Sequence, residues 1–385
     1  MLLSAFLIFF AFLISPPFIY YLWMKSKESL AWGLKTSEEY RPQVSLVVAT
    51  YNEASVIRYK LERIQKIDYP EDKLDVIVVD SNSNDGTLEA CRSYLSSVKF
   101  RFPIQLISED ERLGKSHALN TALRYARGEL IATSDADSFW EPDALLKAVS
   151  FFSDPSVGAV TGRECLTNLD KNVHTQSEGL YRKFYYTLRL GESKIHSTLI
   201  FQGELSVYRR AVFDKFEDKS GCSDDTGTVI QIVSKGYRCL FVPESIFYDN
   251  AAFSLEGRLM LKSRRAQHLI AGVMKSVQLK LKRSLPVPLS VILFNFYFHV
   301  VAPFLLLSTL ALFVATIAFN FSTLWFLSLL PLAVLLSKRL RVFVVSYFSG
   351  NLALIIGLVQ HLGPKHTASW RKIDEMRLDV SSNCK

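Results

Sequence analysis

Two rhythms of apolar residues divide this chain. Between Val44 and Thr133 four short apolar runs recur: VSLVVAT from Val44, LDVIVVD from Leu74, IQLIS from Ile104 and LIAT from Leu130. Helix-like stretches at 53–66, 86–97 and 115–127 separate them. Near-continuous apolar strands alternating with helices predict an α/β fold, with a mostly parallel sheet covered on both faces. Right-handed crossovers then bring the C-terminal ends of the strands to one edge, where ligands of open sheets bind. Further on, GAVTGR at 158–163 and Arg238 to Val242 predict strands. Residues 168–194 have helical spacing, and Arg209 to Phe213 is helix-like.

The second rhythm is unbroken hydrophobicity. No charged side chain occurs from Met1 to Met24, and none between Ser284 and Ser337. A charge at a bilayer centre costs roughly 2.5–3.5 kcal/mol, so such runs are informative. The first would extend about 36 Å as a helix, enough for a hydrocarbon core of about 30 Å. It lacks a basic leading segment and a small-residue cleavage site, which predicts an uncleaved anchor over 1–24. The second run, 289–337, is too long for one helix. With Pro303 inside it and a charge-free turn at Asn320-Phe321-Ser322, it predicts spans at about 289–316 and 321–337. Basic residues at Lys25, Lys27 and Lys35, at Lys280, Lys282 and Arg283, and at Lys338, Arg339 and Arg341 then predict a multi-pass protein of the cell membrane. Residues 25–285 would face the cytoplasm. Val342 to Leu362 has basic residues on both sides and small or polar residues at helical spacing. That fits an interfacial helix, the reading preferred here, or the packing face of a fourth span, ahead of a cytoplasmic tail at 363–385.

Composition sharpens this picture in two places. The five cysteines (91, 165, 222, 239 and 384) form no CxxC pair and read as reduced residues of a cytoplasmic domain. The net charge of +8 is concentrated in Arg258 to Arg283, where eight Lys/Arg residues meet no acid. Placed just before a membrane span, a basic segment over 258–285 is expected to meet anionic headgroups or lipid phosphates rather than nucleic acid. Leu269, Val273, Val277 and Leu281 follow at i+4, an amphipathic stripe.

The candidate chemistry lies just after the strands. Thr50, Tyr51 and Glu53 follow the first, and Asp80 to Thr87 the second. Glu109 to Lys115 follows the third, and Asp135 and Asp137 the fourth. Two acids one residue apart on a turn suit a hard divalent cation such as Mg²⁺ or Mn²⁺. Alone, such a pair also reads as a solvated acidic turn. Four polar clusters at four consecutive strand ends are harder to explain as capping and turn chemistry.

The series VSLVVATYNE, VIVVDSNSNDGT, RLGKSHALNTAL and IATSDAD resembles a family 2, inverting, GT-A fold membrane glycosyltransferase. Within that family it resembles ceramide-glucosyltransferase-like and cellulose- or hyaluronan-synthase-like members. The resemblance runs from about Gln43 to Arg283, with a donor half at 43–140 and an acceptor half at 141–257. It implies a nucleotide-diphospho sugar donor, with Asp80 at its base or ribose and Thr50, Tyr51 and Glu53 lining the same pocket. Lys115 would meet the diphosphate, and Asp135 and Asp137 would hold ribose and metal. Where the family often has Asp-Asp-Gly, this chain has Asp80-Ser81-Asn82. Of the acidic pair Asp224-Asp225, the second member maps to the catalytic base; Asp224 is the alternative base, or a helix cap. Gly203 matches an acceptor-side glycine loop. Arg264, Arg265 and Gln267 stand near the family's Gln-x-x-Arg-Trp, with Leu269 near the place of the Trp.

The resemblance thus implies transfer of one sugar to a lipid or lipid-linked acceptor at the cytoplasmic face. A polyprenyl-phosphate sugar synthase and a polysaccharide synthase are alternatives. A nucleotidyltransferase would share the sheet and metal but needs a Gly-rich loop where Tyr51-Asn52-Glu53 stands.

Overall fold

The computed structural model describes residues 1–218, 221–319, 329–363 and 374–377. The turn at Asn320 and most of the tail lie outside the described residues, as does half of the expected span at 321–337.

The expected alternation is present. Strands β1 (Val44–Thr50), β2 (Leu74–Asp80), β3 (Ile104–Ser108) and β4 (Leu130–Asp135) alternate with helices α2 (Ile57–Ile64), α3 (Thr87–Ser97) and α4 (Lys115–Leu123). These follow α1 (Leu2–Lys25). The second half adds β5 (Phe139–Trp140), α5 (Ala144–Val149), β6 (Val157–Leu166), α6 (Val173–Ile195) and β7 (Ser206–Arg209). Next come α7 (Asp224–Ser234) and β8 (Arg238–Asp249). One eight-stranded sheet results, ordered β3-β2-β1-β4-β7-β6-β8-β5. The first four strands are parallel, while β7 runs antiparallel to both β4 and β6. Period-two alternation sends Leu46, Val48, Val76 and Val78 to one core, packed on Ile57, Leu61 and Tyr94. Val47, Ile77 and Val79 go to the other, packed on Leu119, Val229 and Ile232. The helix expected at Arg209–Phe213 is instead the end of β7 followed by one 3₁₀ turn, Arg210–Val212.

A long helix α8 (Leu255–Leu281) leads to α9 (Leu289–Phe296), a π-helical turn (Tyr297–Val301) and α10 (Ala302–Phe319). The π turn ends two residues before Pro303, which can offer no N–H to the carbonyl of His299 four back. After α11 (Leu330–Leu336), helix α12 (Lys338–Leu362) runs for 25 residues. By length and composition three segments can cross a membrane: Leu2–Lys25, Leu289–Phe319 and Lys338–Leu362. The last starts at Lys338 and takes in the stretch from 342 that the sequence reading placed in the interface.

α1 is docked onto the sheet domain. Tyr20 donates to Glu192 Oε1 of α6 at 2.9 Å and stacks on Phe294 of α9 with centroids 3.7 Å apart. Met24 is fully buried beside Gly191, where a Cβ would lie 2.6 Å from the Met24 carbonyl oxygen. Pro16 and Pro17 leave the carbonyls of Phe12 and Leu13 without their helical partners. The Tyr297 hydroxyl of the π turn donates to the Phe12 carbonyl and lies 3.5 Å from that of Leu13.

Candidate active site

The C-terminal ends of the parallel strands open into a cavity of about 1380 Å³. Its rim is built by backbone that turns sharply. Asn52 and Asn82 both adopt positive φ (55° and 57°), a conformation that asparagine tolerates. Asn52 Nδ2 donates to Asn84 Oδ1 at 3.0 Å, and Asn84 N donates to Asn52 Oδ1 at 2.9 Å. The loops after β1 and β2 are thereby tied together. Asp80, only 2 % exposed, completes the tie. It accepts from Thr50 Oγ1 (3.2 Å), Ser83 Oγ (2.5 Å) and Ser83 N (3.0 Å). Ser81 lines the cavity, whereas the carboxylate of Asp80, expected to meet the donor, is taken up by its own loop. An acid at a strand end can serve its own loop as readily as a ligand, and here the neighbouring hydroxyls decide.

Thr50, Tyr51, Glu53, Lys115, Asp135, Asp137, Gly203, Asp224, Asp225, Arg264 and Arg265 all line this one cavity. Gln267 does not. It lies about 200° around α8 from Arg265, on the side where a Cβ on Gly357 of α12 would meet its backbone nitrogen.

Lys115 joins the two halves of the site. Its Nζ pairs with Asp135 Oδ1 and stands 3.8 Å from Asp224 Oδ2. Burial alone would favour the neutral amine, but Asp135, Asp224 and Glu204 hold Lys115 well above the usual lysine range. In turn, although burial opposes it, Lys115 draws Asp135 below the ordinary carboxylate range. The lysine fits because residue 203 is glycine: a Cβ there would lie 2.8 Å from Nζ. The same point is 3.8 Å from Oδ2 of both Asp224 and Asp225, so the two acids converge on the Gly203 loop. Asp225 Oδ1 is engaged by Ser223 Oγ and by Thr226 N (2.5 Å), leaving Oδ2 towards that loop. Burial, reinforced by the charge of Asp224, pushes Asp225 up to about 6.

The loop carrying Asp135 and Asp137 is pinned from below. Lys60, 3 % exposed, donates to Ser134 Oγ (2.6 Å) and to the Ser138 carbonyl (2.5 Å). The Glu204 carbonyl accepts from Trp140 Nε1 at 2.9 Å and from Ser134 Oγ at 3.2 Å. Sequence reading missed Lys60, since a lysine inside an amphipathic helix looks like surface. It also missed Arg377, whose guanidinium pairs with Glu53 and stands 3.4 Å from Asp137 Oδ2.

No group of three or more His, Cys, Asp or Glu near enough to share an ion occurs among the described residues. The donor set nonetheless fits a hard cation. Asp135 and Asp137 both line the cavity, and buried Asp249, which lines it too, is raised well above its usual range by desolvation and then by Asp137. Two carboxylates leave the remaining coordination to phosphate oxygens and water, the usual arrangement for Mg²⁺.

Part of the basic segment is turned inward. Arg258, Lys262 and Arg265 all line the cavity and lie within ion-pair distance of buried acids. Arg265 Nη2 donates to Glu204 Oε1 at 2.9 Å. Spacing alone could not have shown this, because the acids belong to α6 and to the Gly203 loop.

The description "Glycosyl transferase family 2" matches residues 45–216. Probable glycosyltransferase YdaM of Bacillus subtilis is 29% identical over 214 residues, covering 54% of this chain and 50% of that one. The beta-monoglucosyldiacylglycerol synthase of Synechocystis sp. is 33% identical over 141 residues, 36% of this chain and 29% of that one. The chain thus spans half or less of the length of these two relatives. Among solved structures, mannosyltransferase PcManGT from Pyrobaculum calidifontis, in complex with GDP-Man and Mn²⁺, superposes with a TM-score of 0.81 at 32% identity. That match covers 95% of this chain and 100% of the other.

Proposed function

Since this chain belongs to glycosyl transferase family 2, we propose that it moves a single sugar, with inversion, from a nucleotide-diphospho sugar to a lipid or lipid-linked acceptor at the cytoplasmic face of the membrane. One observation carries this reading. The cavity that holds Asp135, Asp137, Asp224 and Asp225 continues to Leu13 and Phe18 of α1, Phe298 of the π turn and Tyr347 of α12. A site open to membrane-length helices is suited to an acceptor with hydrocarbon chains. The GDP-Man of the mannosyltransferase and the diacylglycerol in the name of the synthase support donor and acceptor classes of this kind.

In this scheme Thr50, Tyr51 and Glu53 line the nucleoside end, with the Arg112 guanidinium 3.6 Å from the centre of the Tyr51 ring. Asp80 shapes that end without touching the donor. Asp135 and Asp137 would hold Mg²⁺ or Mn²⁺, which supplies countercharge to the departing diphosphate. Lys115, charged at any working pH, meets the same phosphates. Asp225 Oδ2 takes the proton of the acceptor hydroxyl. That oxygen bonds to the anomeric carbon as the bond from this carbon to the phosphate oxygen breaks, and the nucleoside diphosphate leaves from the opposite face. Gly203 gives the acceptor room beside Asp225, and Arg264 and Arg265 border the cavity over the acids.

The test is incorporation of label from GDP-mannose and UDP-glucose by the full chain in lipid vesicles with Mn²⁺. The reading expects label in the organic extract. Label confined to polymer or to free sugar would count against it.

A further inference from the structure

The inner wall of the cavity carries charge that the transfer steps leave unused. Helix α6 places Glu178, Arg182, Tyr185 and Arg189 on one face, at i, i+4, i+7 and i+11. Helix α8 answers with Arg258 and Lys262. All six line the cavity. Glu178 is shared by Lys262 (2.9 Å), Arg182 (3.2 Å) and Arg258 (3.6 Å), and Arg182 also reaches Glu164 at 2.7 Å. Arg189 makes no ion pair among the described residues. Four cations therefore face two carboxylates.

Two of these guanidiniums are under-used. Arg258 is 2 % exposed, and none of its three nitrogens makes a hydrogen bond among the described residues. Arg189 is 7 % exposed, and its Nε has no partner. Buried charge without hydrogen-bond acceptors is among the costliest features a fold can carry. A planar guanidinium fork matches the oxygens of a phosphate. The position of the cluster indicates where such a phosphate comes from. Tyr185, one turn before Arg189, shares a 2.7 Å hydrogen bond with His299 of the π turn, and Ser346 Oγ of α12 donates to the Ser177 carbonyl at 3.0 Å. At the other end Gln202 Nε2 donates to Glu164 at 2.6 Å, beside the Gly203 loop. The cations thus stand between the acids of the transfer site and the apolar passage.

We propose that Arg189 and Arg258, assisted by Lys262 and Arg182, hold the phosphate of a lipid acceptor. Its chains lie in the apolar passage and its headgroup points towards Asp225. That this lipid is the acceptor rests on the transferase reading above; that the cavity takes a lipid phosphate does not.

The experiment compares binding of phosphatidic acid, diacylglycerol with the same chains, and inorganic phosphate to the full chain in detergent micelles. Phosphatidic acid should bind at least tenfold more tightly than diacylglycerol. Arg258→Met and Arg189→Met should each weaken it by roughly tenfold to a hundredfold, the usual worth of charge-assisted hydrogen bonds. The melting temperature without lipid should stay level or rise for Arg189→Met, since a buried charge that makes no ion pair among the described residues has been removed. Equal binding of the two lipids overturns the proposal. A lowered melting temperature with the lipid preference intact overturns it too, by making the arginines structural. Inorganic phosphate binding as tightly as the lipid would make this a site for soluble phosphate, and the lipid assignment would fall. Titration of the unsubstituted chain with GDP or UDP and Mn²⁺ separates the two readings. Lost lipid preference with nucleotide bound sinks this proposal alone; retained preference with no nucleotide bound sinks the transferase reading.

Discussion

Asp225 shows how much a single residue depends on its surroundings. A carboxylate raised to about 6 is protonated below that pH and cannot accept a proton. Transfer should therefore fall about tenfold per pH unit below about 6 and level off above it, measured as kcat/KM. Asp225→Asn should keep donor binding and lower turnover by about 10²–10⁴; full turnover would move the base to Asp224. Lys115 opposes the rise in Asp225, so Lys115→Met should shift the acid limb to higher pH; an unmoved limb would separate the two groups. Asp135→Asn or Asp137→Asn should abolish Mn²⁺-dependent nucleotide binding in calorimetric titration, and unaltered affinity would argue against the metal assignment. Asp135, Asp137, Asp224 and Asp225 were legible because strand ends and helix starts announce themselves locally. Lys60 and Arg377 were not, since each acts on a loop remote in sequence.

At the scale of elements, α6 and α8 were the least legible. The eight basic residues of 258–283 suggested a lipid-facing surface. The fold turns Arg258, Lys262 and Arg265 inward because α6 and the Gly203 loop supply Glu178 and Glu204. α1 is joined to this layer through Gly191. Gly191→Ala should destabilise the chain by about 1–3 kcal/mol, because the added methyl meets Met24 backbone rather than a movable side chain. An unchanged thermal midpoint in detergent would mean that α1 is not docked there.

For the whole molecule, orientation is the claim most open to test. Asp214 is 99 % exposed at its side chain. In sealed cells Asp214→Cys should resist a membrane-impermeant maleimide and label after lysis, with the unsubstituted chain as background. Labelling of intact cells would invert the topology and place donor chemistry outside.

Local patterning along the chain determined the parallel half of the sheet, the membrane-length apolar segments at the N-terminus and from Leu289, and the strand ends that bear acids, whereas the third such segment, Lys338–Leu362, covers a stretch that the sequence placed in the interface. These properties follow from neighbours a few residues apart. The tertiary structure alone decided that Asp80 serves its own loop, that Gln267 lies off the cavity and that the first turns of the basic helix line it. It also decided that one lysine bridges Asp135 and Asp224 across a glycine. Each of those outcomes depends on which carboxylate or backbone lies within about 3 to 4 Å after folding, and spacing in sequence carries no information about that distance.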